Sequence, residues 1–172
     1  MKVQGKMFGG KMDFRVLREV GMIARCVNTI ADAEYKRFSL EKGQFLYVVR
    51  VCEYPGINQE TLSNMLKVDR STTAKAVGKL IKQGYIRKER SIKDKRSYKL
   101  YPTPRARQAY DVLRSVEDNA AEHALRNFTD DERMMVLTLL AKMRKNVEQD
   151  WETMKAGNRQ YLTEVPDELQ SK

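Results

Sequence analysis

The sequence predicts a mainly α-helical protein that carries one small β-hairpin, the wing of a compact lobe set between long N- and C-terminal helices. Three observations predict it. Apolar residues recur at helical spacing through most of the chain. Residues 57–101, INQETLSNMLKVDRSTTAKAVGKLIKQGYIRKERSIKDKRSYKLY, read as two short helices joined by a tight turn, then a strand, a basic tip and a return strand. Charge collects in the same stretch: Lys67 to Lys99 holds twelve Lys or Arg against three Asp or Glu, a net of +9 in a chain of net +10. A merely soluble basic protein scatters its excess charge. Concentrated on one helix face and one hairpin, it is the electrostatic footprint of a polyphosphate partner.

Composition narrows the class. The chain has 172 residues, 41% hydrophobic and 33% charged, enough for one domain with a core and against global disorder. No apolar run approaches about 18 residues, so no membrane span is expected. The start, MKVQGKMFGG, has charge but no apolar segment and does not read as a secretory signal, so the protein is expected to stay in the cytoplasm. Cys26 and Cys52 stand in neither a CxxC nor a metal spacing, and His123 is the only histidine. Neither a disulfide scaffold nor a metal or other cofactor is expected. No paired nucleophile and base and no Gly-rich phosphate loop appear, so the chain does not read as an enzyme.

Taken in order, residues 1–10 read as a flexible arm. From Lys11 to about Arg37, Phe14, Leu17, Val20, Ile23 or Ala24, Val27 and Ile30 or Ala31 keep a 3-to-4 spacing over more than seven turns. A helix that long with one apolar stripe needs a larger partner surface than a small domain offers. Cys26 on this helix is expected to be inert packing. Ser39 is expected to cap the next helix, whose apolar positions are Phe45, Leu46, Val48, Val49 and Cys52, and Pro55-Gly56 to end it. Asn58 caps a third helix with Leu62, Met65 and Leu66 as its stripe. Asp69 caps a fourth, with Thr73, Ala76, Val77 and Leu80 buried and Thr72, Lys75, Lys79 and Lys82 on the opposite face. Gly84 stops that helix. Tyr85 and Ile86 open a strand of alternating residues, Ser91 to Arg96 form a polar turn, and Ser97 to Tyr101 return. Thr103-Pro104 starts a helix reaching about Asn127, with Thr as cap and Pro at the first helical position. Thr129 to Glu132 is a capping box for a last helix, in which Val136, Leu140, Met143, Val147, Trp151 and Met154 approach a heptad seam. Residues 156–172 read as a frayed tail. The expected organisation is therefore one domain over 11–155, its lobe at about 39–101 and its flanking helices at about 11–37 and 103–155. The first, fifth and sixth helices then form a bundle suited to an intertwined homodimer.

The run from Ile57 to Thr103 resembles the winged helix-turn-helix of the MarR family of bacterial transcription regulators. Asp94-Lys95-Arg96 is similar to that family's Asp-x-Arg wing motif, and Thr103 to the Thr that opens the helix after the wing. The resemblance extends over roughly Phe14 to Trp151. It departs from the family in two places. Ala74-Lys75 stands where the family often has Thr-Arg, and Lys lacks the planar two-pronged contact that Arg makes to guanine. Ala106 stands where the family often has Gly. The resemblance implies a homodimer on a pseudo-palindromic double-stranded DNA operator, usually repressing. It also implies release by a small apolar or aromatic ligand bound between the dimer helices and the lobes. In a subset of the family a cysteine near the start of the first helix senses peroxides. The candidate DNA-binding residues are Arg70 and Ser71, which position phosphates, and Thr72, Lys75 and Lys79, which face the groove. On the wing they are Arg87, Lys93, Asp94, Lys95 and Arg96, with Asp94 expected to pair with Arg96. Dimerisation is expected through Leu17, Val20, Leu140, Met143, Val147 and Trp151. A sequence-tolerant architectural DNA binder and a winged-helix module for an acidic protein or membrane surface are the competing classes.

Overall fold

The computed structural model describes residues 14–41, 43–90 and 97–157. In chain order the elements are α1 (Arg15–Tyr35), a 3-10 turn (Lys36–Phe38), α2 (Gln44–Glu53), α3 (Gln59–Leu66), α4 (Arg70–Lys82), β1 (Ile86–Arg90), β2 (Tyr98–Pro102), α5 (Pro104–Ala124) and α6 (Asp130–Lys155). The chain divides into two compact units, Met1–Ala124 and Leu125–Lys172. The arm at 1–10, the wing tip at 91–96 and all but the first two residues of the tail lie outside the described residues.

In the first unit α2 is the hub. Its run QFLYVVRVC is apolar nearly all round, which a helix tolerates only when neighbours cover it on several sides. It packs against α3, α4, α5 and β2. Val48, Val49 and Val51 meet Leu62 of α3, Val77 and Leu80 of α4, Leu100 of β2 and Leu113 of α5, all fully buried. From α1 only Ala31 and Tyr35 reach this core, the Tyr35 ring lying 4.1 Å from that of Phe45. Phe14, just before α1, and Leu17, Val20, Ile23 and Ile30 along it are exposed.

Ser39 does not cap α2. It is the left-handed residue that stops the preceding helical segment, at φ 56°. Leu40 N–H donates to Tyr35 C=O at 3.2 Å and Ser39 N–H to Lys36 C=O at 2.9 Å, the paired bonds of a Schellman stop. Burial of Leu40 fixes this ending; among the described residues α1 has 21 residues, about six turns, and continues into the 3-10 turn. The entry to α2 is instead a closed turn. Gln44 N–H donates to Glu41 C=O at 2.9 Å, and Glu41 N–H to Gln44 Oε1 at 2.8 Å.

The next two caps form as the sequence predicts. Thr61 N–H donates to Asn58 Oδ1 at 2.8 Å, and Thr72 N–H to Asp69 Oδ1 at 2.9 Å. The stripe on α3 differs by one position: Met65 is exposed and Ser63 is buried in its place. Ser63 Oγ donates to Val68 C=O at 2.6 Å, so the turn into α4 is built on that hydroxyl. Gly84, at φ 76°, ends α4 through a second Schellman pair, Tyr85 N–H to Leu80 C=O and Gly84 N–H to Ile81 C=O.

The hairpin is antiparallel with Ile86 opposite Pro102 and Arg90 opposite Tyr98. Alternation fails on β1, where only Ile86 is buried and the remaining residues are solvated. Ile57 adds a bridge to Leu100 on the outer edge. Gly56, at φ 87°, lets the chain pass the Tyr101 ring, whose Oη would stand 3.4 Å from an added Cβ. Thr103 Oγ1 accepts from Ala106 N–H at 3.3 Å and donates to Gly84 C=O at 2.7 Å, so one hydroxyl caps α5 and ties it to the end of α4. α5 ends at Ala124, three residues short of Asn127, which is itself left-handed at φ 65°.

In the second unit the capping box is complete. Thr129 N–H donates to Glu132 Oε2 at 2.8 Å and Glu132 N–H to Thr129 Oγ1 at 3.3 Å. α6 runs for 26 residues and buries none of them within the chain. Among the described residues no helix is long and apolar enough to cross a membrane, and no group of three or more His, Cys, Asp or Glu is placed to hold a metal ion.

Candidate nucleic-acid interface

α4 is held on three sides. α2 and α3 pack on its inner face, and β1 follows from its end. Its C-terminus is tied down by contacts invisible in local sequence. Gln83 Nε2 donates to Ser39 C=O at 2.9 Å, Tyr85 Oη to Phe38 C=O at 2.7 Å, and Arg105 Nη1 to Gln83 C=O at 2.7 Å. The Arg105 guanidinium also lies 4.5 Å over the Tyr85 ring. These bonds leave the outer face of α4 as a rigid exposed ridge carrying Thr72, Lys75, Lys79 and Lys82. Such a ridge is the kind of element that enters a major groove.

The five recognition-helix candidates are not equally free. Ser71 Oγ and Thr72 Oγ1 donate to the Asp69 carboxylate at 2.7 and 2.6 Å. With the Thr72 N–H bond, they hold the Asp69 carboxyl well below the usual aspartate range. Arg70 is ion-paired with Glu60 of α3. Lys79 Nζ lies 2.5 Å from Glu41 Oε2. Lys75 alone of the five makes no hydrogen bond or ion pair among the described residues. Unlike the charges of Arg70 and Lys79, its charge meets an incoming ligand without first leaving a partner.

The wing continues the basic surface. Arg87 pairs with Glu89 on its own strand and lies 4.7 Å over the Tyr101 ring. Lys88 Nζ stands 4.1 Å over the Tyr98 ring. Arg90, directly across the ladder, hydrogen-bonds the Tyr98 phenol and lowers its pKa below the ordinary tyrosine value. Tyr98 and Tyr101 thus act as platforms that orient the wing cations. Lys93, Asp94, Lys95 and Arg96, with the expected Asp94–Arg96 pair, lie outside the described residues. Glu41, Glu60, Arg105 and the two tyrosines are the residues that sequence reasoning missed. Only the tyrosines left a signal, as aromatics interleaved with the basic residues of a strand.

The other candidates divide by exposure. Leu17, Leu140 and Val147 are 56%, 44% and 57% exposed in the single chain and Val20 is exposed with them, while Met143 and Trp151 are half-buried. Cys26, expected to pack, is exposed on α1. Cys52 is half-buried against the core, and burial pushes its thiol pKa up, as for packing rather than reactivity.

Comparison with known proteins places this geometry. The sequence model of the MarR family matches residues 40–98. The chain is 45% identical over 144 residues to the uncharacterized HTH-type transcriptional regulator YybA of Bacillus subtilis (strain 168), covering 84% of this chain and 96% of that one. The chain belongs to the MarR family. Its fold matches the MarR protein from Peptoclostridium difficile with a TM-score of 0.80 at 47% identity, covering 87% of this chain and 98% of that one. A MarR family transcriptional regulator from Listeria monocytogenes, solved as a complex with 26mer DNA, matches with a TM-score of 0.82 at 38% identity and the same coverage. MarR family members are transcriptional regulators, not enzymes, and this chain is a winged-helix regulator of that type.

Proposed function

We propose that this MarR-type regulator binds double-stranded DNA in a sequence-specific way, as a cytoplasmic homodimer on a pseudo-palindromic operator, and represses transcription there. One observation carries the reading: an exposed ridge of Thr72, Lys75, Lys79 and Lys82 on a helix locked at both ends, continued by a basic hairpin. α4 enters the major groove, Lys75 meets a base edge, and Arg70, Ser71, Arg87 and the wing tip hold phosphates. The Listeria regulator's complex with 26mer DNA supports the same use of the fold.

The homodimer follows from apolar surface left wet in one chain. Leu17, Val20 and Ile23 are exposed on α1 and, separately, Leu140 and Val147 on α6, and soluble monomers rarely leave large apolar faces uncovered. A two-fold axis covers the same faces on both copies. It sets two α4 helices on one face, where half-sites one helical turn apart require about 34 Å between them. The lobe at about 39–101 then reads DNA, and the helices at about 11–37 and 103–155 assemble the dimer. A small apolar or aromatic effector releases DNA by binding one spacing of the α4 pair more tightly than the other.

Sedimentation of the protein alone and with duplex DNA at moderate salt tests this. The expected species has twice the 20.0 kDa chain mass and binds duplex as one dimer. A 20.0 kDa monomer that binds a palindromic site tightly and without cooperativity contradicts the dimer. Indifference to duplex contradicts the DNA reading.

A further inference from the structure

Three ion pairs stand at the edge of the basic surface. Lys79 is held by Glu41, 38 residues away in sequence, Arg70 by Glu60, and Arg87 by Glu89. All six side chains are about half exposed or more, and exposed pairs add little to folding. Fold stability therefore does not account for three of them around one face.

Each carboxylate springs from fixed backbone. Glu41 is locked by its exchange of hydrogen bonds with the buried Gln44. Glu60 lies in the first turn of α3, set by the Asn58 cap, and Glu89 lies in the ladder opposite Lys99. The cations they hold are at the two ends of α4 and on the wing, where a duplex backbone would pass. Lys75, in the middle of α4, has no such partner among the described residues.

We propose that Glu41, Glu60 and Glu89 are affinity-setting residues that restrain the phosphate contacts of Lys79, Arg70 and Arg87. A backbone phosphate must displace a carboxylate to engage each of these cations. The proposal rests on the DNA-binding reading above and adds to it three acidic residues that contact no DNA. Its physical consequence lies in the counterions. When a free cation meets a phosphate, the duplex sheds a condensed counterion. When a paired cation does so, the abandoned carboxylate recruits a cation from solution, and the net release falls. The guards thus lower both backbone-driven affinity and its dependence on salt.

The test is binding of a fluorescent random-sequence duplex over a range of salt concentrations, since non-specific binding is almost wholly backbone-driven. Glu41→Gln, Glu60→Gln and Glu89→Gln keep side-chain size and remove the charge. Each is expected to raise random-duplex affinity roughly two- to five-fold, the usual worth of an exposed pair. Each should also steepen the slope of log K against log salt by about 0.9. Glu122→Gln is the control. It makes the same change in net charge on exposed α5 surface, roughly 27 Å along the helix from Pro104, and is expected to leave the slope unchanged. Unchanged slopes in the three variants, weaker binding in them, or an equal effect of Glu122→Gln each overturns the proposal. If the parent protein binds no duplex at any salt, the DNA reading itself fails, and the parent measurement alone reveals that.

Discussion

Asp69 accepts from Thr72 N–H, Thr72 Oγ1 and Ser71 Oγ, so its ionised form is favoured in the folded state. A carboxyl held below its unfolded value stabilises the fold above that value, 3.8, and loses the contribution as pH falls toward the lowered folded value. Asp69→Ala should therefore melt below the parent at neutral pH, and the gap should narrow as pH drops from about 4 to about 2. Melting curves with a constant gap over that range would rule out this role. Lys75→Ala should weaken operator binding by about 1–3 kcal/mol if Lys75 reads a base, and weaken random-duplex binding much less. Equal losses on both duplexes would reduce Lys75 to a phosphate contact. At this scale the caps were legible because a cap is local: Asn58, Asp69 and Thr129 bond amides three residues on. The partners of Arg70 and Lys79 were not, since Glu60 and Glu41 reach them only through the folding of α2, α3 and α4 around one core.

Three helical segments stop in the same way, through a left-handed residue with paired bonds back into the last turn. That residue is Gly84 after α4, Lys67 after α3 and Ser39 after the 3-10 turn. Only glycine announces such a stop in sequence, because it alone takes positive φ without a Cβ penalty. Ser39, followed by an apolar run, instead looked like the start of a helix. Gly84→Ala isolates the backbone effect, since nothing lies within 4 Å of the added Cβ. It should lower stability by about 1 kcal/mol through left-handed strain alone. A shifted denaturation midpoint with an unchanged m-value would confirm that, and an unshifted midpoint would contradict it. Thr73 makes the opposite case on α4. Its side chain is fully buried and its hydroxyl has no hydrogen-bond partner among the described residues, so Thr73→Val should raise stability by about 1 kcal/mol in the same assay. A loss of stability would show that the hydroxyl has a partner, such as ordered water.

At the scale of the whole molecule, the seam of α6 was legible as a pattern, and in the single chain its Leu140, Val147 and Met154 are exposed while Val136, Met143 and Trp151 are half-buried. Periodicity located the apolar faces of α1 and α6 but did not separate the part of α1 that meets the lobe core, Ala31 and Tyr35, from the part that does not. That division depends on where α2 and α5 end up, which no window of sequence contains. Leu140→Glu or Val147→Glu should dissociate or unfold the dimer and abolish operator binding, although neither residue is proposed to touch DNA. A variant that sediments as an intact dimer and binds normally would place the interface elsewhere. The central claim joins that interface to the ridge on α4: two copies read one site. Selection of bound sequences from a pool of random duplexes measures both halves of the claim at once. The expected product is an inverted repeat with half-sites about one helical turn apart. A pool that enriches no sequence, or a single half-site without symmetry, would contradict it.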